Sequence, residues 1–116
     1  MTTEFPSRDL TPEERFKRRA AVAEVNGRRV NEAIEPRGRA AVLVCECGHL
    51  GCNETIEMSV AGYEAVRTSF DRFLVLPGHE IEEVDEVVER HPGYLVVVKR
   101  EPDARDLARA SDERSP

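Results

Sequence analysis

The chain has 116 residues, a length suited to one domain with a single hydrophobic core, and it offers that core no Trp, four Phe and two Tyr. Charged side chains make up 34% of it and the formal net charge is -6, so the core must be a modest one of Val, Leu and Ile to which a metal clip would contribute. No apolar run approaches the roughly 18 residues of a membrane span and no charged head leads into an apolar stretch as in a secretory signal, so an intracellular, cytoplasmic chain is expected.

Residues 1–10 lack periodicity and are expected to form a flexible arm. Thr11, Pro12 and Glu14 then combine a cap, a favoured first helical residue and a capping-box partner, which predicts a long helix. Phe16, Ala20, Ala23, Gly27, Val30 and Ile34 follow in steps of three and four, on one face that is expected to cover the domain or meet a partner helix, and Pro36 and Gly38 end the helix. Residues 1–40 carry nine Lys or Arg against seven Asp or Glu, whereas residues 41–116 carry eight against sixteen. Arg15, Lys17, Arg18 and Arg19 are therefore read as a solvated helix face that could meet an acidic partner or a phosphate backbone.

Ala40–Cys45 is a short Val- and Leu-rich run that reads as a buried strand delivering Cys45 at its end, and Glu54–Met58 alternates as the returning strand of a hairpin tipped by the cysteine loop. Ser59 resembles the cap of a short helix containing Tyr63 and Val66, and Phe73–Leu76 is a strand stopped by Pro77 and Gly78. Residues 84–90 are ambiguous between helix and strand, but the His91-Pro92-Gly93 turn and the Tyr94–Val98 strand favour a hairpin of 84–90 against 94–100. From Glu101 onward the chain is charged and almost without large apolar groups, so 101–116 is expected to be a flexible tail on a domain spanning 11–100. These elements predict a small α+β domain with a long N-terminal helix, a short second helix and an antiparallel or mixed sheet.

Cys45, Cys47 and Cys52 lie within eight residues of each other. An odd number of thiols is awkward for internal disulfides and natural for a metal site completed by a different ligand; three soft thiolates and one imidazole suit Zn2+. Gly48 and Gly51 let the loop close. His49 is the nearest imidazole but sits inside the tight loop, His79 is displayed from the Pro77-Gly78 turn and is favoured as a distant clamp, and His91 ranks third as a hairpin residue.

The CECG segment and Cys52, together with Tyr63, Glu64, Val66 and Arg67, then Arg72, Phe73 and the Pro77-Gly78-His79 turn, and a Val-rich strand before Lys99, resemble a family of small, uncharacterised bacterial proteins of actinobacterial type. The resemblance spans most of residues 15–99, including Val25-Asn26 and Val30-Asn31-Glu32. It implies a zinc-binding domain with Cys45, Cys47, Cys52 and His79 on the recurring positions, and it implies no activity.

A set of three cysteines and one histidine leaves no vacancy for water, so a structural site with a role in protein-protein interaction or homo-oligomer formation through the N-terminal helix is the first reading. A zinc-dependent hydrolase would need a site of the three cysteines and a water, with Glu46, Glu54 or Glu80 as proton carrier. The chain shows neither HExxH nor a deaminase pattern, nor CxxC, nor a phosphate-binding glycine loop. A nucleic-acid-associated regulator would use the basic helix, against an acidic body with few aromatics.

Overall fold

The computed structural model describes residues 11–34, 38–112 and 114; the expected arm at 1–10 and the Pro36 helix stop lie outside them. In chain order the elements are α1 (Pro12–Ala33), β1 (Ala40–Val44), β2 (Thr55–Ser59), α2 (Val60–Val66), β3 (Arg72–Val75), β4 (Asp85–His91), β5 (Tyr94–Lys99) and α3 (Pro102–Ala110). The expected α+β domain is present, with its strands divided between two antiparallel sheets, β1-β2 and β3-β5-β4.

Local chemistry accounts for the element boundaries. At the start of α1 the Glu14 N–H donates to Thr11 Oγ1 at 3.1 Å and the Thr11 N–H to Glu14 Oε1 at 2.8 Å, a reciprocal capping box. Ser59 Oγ accepts the Gly62 N–H at 2.9 Å and caps α2. The segment left ambiguous at 84–90 is strand, paired with β5 from Asp85 opposite Lys99 to His91 opposite Tyr94. A bulge between Val87 and Glu89 leaves Val88 out of register, 40% exposed on the sheet's outer strand.

The core is built on the second sheet. Phe73, Leu74, Val75, Val96 and Val97 are fully buried, joined by Leu43, Ile56 and Met58 from the first sheet and Tyr63 from α2. The sheets meet where the Glu46 N–H donates to the Leu74 carbonyl at 2.7 Å, just beyond the end of β1.

Two expectations are corrected. The segment 101–116 is not a tail from Glu101 onward: α3 occupies Pro102–Ala110 and buries Ala104 and Ala108. Its fully buried apolar groups are two alanines, too small to register as a hydrophobic pattern, with Leu107 half-buried against the core, and its C-terminal end is held by Arg28, whose guanidinium donates to the Ala108 carbonyl at 2.6 Å and to the Phe70 carbonyl. The domain therefore extends past residue 100.

Of the two roles expected of the apolar line of α1, covering the domain falls instead to a face rotated from it. Phe16 is 41% and Val30 50% exposed, whereas Ala20, Ala21, Glu24, Val25, Arg28 and Asn31 are buried. Each buried polar group meets a partner from a distant segment, which offsets its desolvation. Glu24 is bonded to Lys99, whose ammonium also lies 3.5 Å from Asp85. Arg28 Cζ and Lys99 Nζ both lie over the Phe73 ring, at 4.5 Å and 4.1 Å from its centroid.

Candidate metal centre

β1 and β2 run antiparallel with Val44 opposite Thr55, and the Cys45 N–H donates to the Glu54 carbonyl at 2.9 Å, carrying the ladder one residue further. Cys45 thus starts the loop from a fixed point. The chain turns over Gly48, packed so closely that an added Cβ would stand 2.8 Å from Ala20 Cβ and 2.9 Å from Ile81 Cδ1. It returns through Gly51 at φ +79°, and the Cys52 N–H closes the turn on the His49 carbonyl at 3.2 Å. Gly48→Ala should therefore cost about 1–3 kcal/mol in a denaturant melt, because Ala20 and Ile81 must both give way.

His79 arrives from the other sheet. After β3, Pro77 and Gly78 (φ +89°) occupy the central positions of a turn in which the His79 N–H donates to the Leu76 carbonyl at 2.9 Å, the type II pattern for Pro-Gly. This turn sets the imidazole against the cysteines: its Nδ1 lies 3.6 Å from both Cys45 Sγ and Cys52 Sγ. The three sulfurs and one imidazole nitrogen all lie within 4.8 Å of one another. A tetrahedral zinc with bonds of about 2.3 Å to sulfur and 2.0–2.1 Å to nitrogen needs S···N separations of about 3.6 Å, which the two separations from His79 match.

Of the histidines considered, the structure brings His79 into the cluster and leaves the other two outside it. His49 is exposed, its ring edge-to-face with His79 at 5.9 Å between centroids. His91 stacks on Tyr94 at 4.5 Å and bonds Glu89 at 2.8 Å.

Burial sets the proton affinity of the thiols. Burial pushes the Cys45 thiol up despite the Leu76 N–H that reaches its sulfur at 3.2 Å, and burial likewise raises Cys47 against the His49 N–H. Thiols so disposed ionise when a cation replaces their protons, and the backbone donors then serve the thiolates.

The three carboxylates proposed as proton carriers are placed differently. Glu46, between two cluster cysteines, is fully buried and points away from solvent: it accepts from Leu74 N–H at 2.8 Å, Asn31 Nδ2 at 2.8 Å and Tyr63 OH at 3.1 Å. Burial raises its pKa and these three donors oppose the rise. Glu80 accepts the Gly78 N–H at 2.8 Å and so supports the histidine turn, and Glu54 is exposed.

Asn31, which the sequence marks only within the Val30-Asn31-Glu32 element of the resemblance and gives no role, proves central. Its amide grips both backbone groups of Val44, accepting from the N–H at 2.7 Å and donating to the carbonyl at 2.8 Å, while also donating to Glu46. Asn31 and Glu46 thereby lock the end of β1 to α1, α2 and β3, which fixes the cysteine on either side of Glu46. A polar residue amid the interior spacing of α1 is the signal that could have found it.

Comparison with protein-family models, with curated proteins and with solved structures yields no match. Among the described residues no helix is long and apolar enough to cross a membrane.

Proposed function

We propose that this chain is a cytoplasmic zinc-binding domain of the bacterial CECG type, whose Cys45, Cys47, Cys52 and His79 hold a structural Zn2+ and which acts through a protein partner. The reading rests on one observation, the four donor atoms from the β1-β2 loop and the turn after β3 drawn within 4.8 Å of one another. Four protein ligands complete the coordination of a structural zinc and leave no site for an activated water. Glu46, the carboxylate nearest in sequence, is committed to three hydrogen bonds and is not free to carry protons for a hydrolase.

Elemental analysis of untagged protein should find about one zinc per chain, and binding should release protons. A metal-free preparation that neither takes up zinc nor releases protons on its addition would overturn the reading. Competition with a chromogenic chelator provides the finer test. His79→Ala should weaken zinc by more than the 10- to about 100-fold typical of losing a supporting group, whereas His49→Ala should leave affinity unchanged. The reverse order would move the fourth ligand to His49.

A further inference from the structure

We propose that the exposed flank of α1, the line Phe16, Ala23 and Val30 with Arg19 and Arg29 beside it, docks an amphipathic helix of a partner protein edged with carboxylates. The proposal rests on the reading of a domain that acts through a protein partner, and it names the surface and the chemistry that this partner must have.

The three apolar residues recur every seven positions and lie on one line of the helix, with Phe16 41% and Val30 50% exposed and Ala23 half-buried. From first to last the line runs about 21 Å at roughly 1.5 Å per residue, long enough for a second helix to follow through two heptads. Arg19 and Asn26, both exposed, take the alternate positions, where a polar residue fixes register and an arginine stem adds apolar cover. On its inner side the line is bounded by Ala20 and Gly27, which pack on Gly48 and on the Cys45–Glu46 backbone. The cysteine loop thus supports this surface from behind.

Charge selects the occupant. Between Arg15 and Val30 the helix carries a single carboxylate, Glu24, which is buried with Lys99 on the opposite side. Among the described residues neither Arg19 nor Arg29 has an ion-pair partner. Lys17, one residue from the line, is already paired with Glu101 at 3.1 Å, so the free cations of this face are Arg19 and Arg29, and a second copy would set these arginines against the same arginines, which disfavours self-association. A phosphate backbone would satisfy the arginines but leave the apolar line uncovered, and the chain as a whole is acidic with a pI near 5.1. A helix with apolar anchors and flanking Glu or Asp satisfies both features.

The test uses the zinc-loaded full chain and two labelled three-heptad peptides, each with Leu at a and d, one with Glu and the other with Lys at e and g. Fluorescence anisotropy should show the Glu peptide binding at least about tenfold more tightly, with the preference falling in high salt. The double variant R19E/R29E, checked for unchanged folding by circular dichroism, should reverse the preference, and V30E should weaken both peptides. Equal binding of the two peptides, a preference unmoved by the charge swap, tighter binding to a random DNA duplex, or a dimer dissociated by V30E would each overturn the proposal. Because metal content is measured separately, any of these results leaves the assignment of the zinc site to its own test.

Discussion

Chelation is expected to abolish the cooperative thermal transition of this protein, and the transition should return when zinc is added back. A structural zinc contributes about 10–16 kcal/mol of apparent binding free energy in small peptides, comparable to the roughly 5–15 kcal/mol total stability of a typical domain. Here the ion would join the β1-β2 hairpin, which supplies three ligands, to the three-stranded sheet, which supplies His79 through the turn after β3. A two-stranded sheet is marginal by itself in water. Loss of the ion would also leave buried thiols facing one another at the junction of the sheets. Far-UV circular dichroism and a thermal melt with and without chelator make the measurement; an unchanged melt in verified metal-free protein would show that the ion does not hold the fold.

Replacing Lys99 by Met is expected to be the most damaging change away from the cysteines. Its ammonium stands between the carboxyls of Glu24 and Asp85, with all three side chains fully buried. Burial lowers the Lys99 pKa and raises that of Asp85 to about 6 against the Ile81 N–H that it accepts, so proton and charge are held within the cluster. Removing the amine strands two buried carboxyls at a cost of about 3–5 kcal/mol near neutral pH. A carboxyl whose folded pKa is raised gives its stabilisation fully below the unfolded value of about 4 and loses it as pH rises through the folded value, about 6 for Asp85. Without the ammonium both carboxyls are raised beyond their values in the parent, so the variant loses stability faster than the parent as pH rises, and the gap between them should be small near pH 4 and widen towards neutrality. Paired urea melts across that range supply the measurement, the difference cancelling effects of acid on the zinc site. A gap independent of pH would mean that lost packing on Phe73, and not stranded charge, sets the cost.

The elements that could be read from the sequence are those whose causes are local. Thr11 to Glu14 announce the start of α1, the run from Ala40 and its return from Glu54 bracket the cysteine loop, and Pro-Gly turns mark the ends of the strands around them. The four clustered donors were legible for the same reason: three lie in one loop and the fourth stands on a Pro-Gly turn. What was hidden depends on partners distant in sequence. Arg28 looks like a surface residue until the Ala108 and Phe70 carbonyls are brought to it, and without Arg28 the small residues of α3 give no sign of packing. Glu24 and Asn31 mislead in the same way, since a charged or amide side chain counts as interior only once Lys99 or the Val44 backbone is known to meet it.

The bulge in β4 bears on solubility. β4 is one of the two outer strands of its sheet, and an open edge of paired-strand geometry is a template for another chain. With Val88 displaced from the ladder and Glu86, Glu89 and Arg90 along the same strand, an incoming strand would meet an interrupted register and charged side chains. The irregularity acts as a guard against edge-to-edge aggregation at high concentration, a protection that a chain with this Val-rich neighbouring strand would otherwise have to find elsewhere.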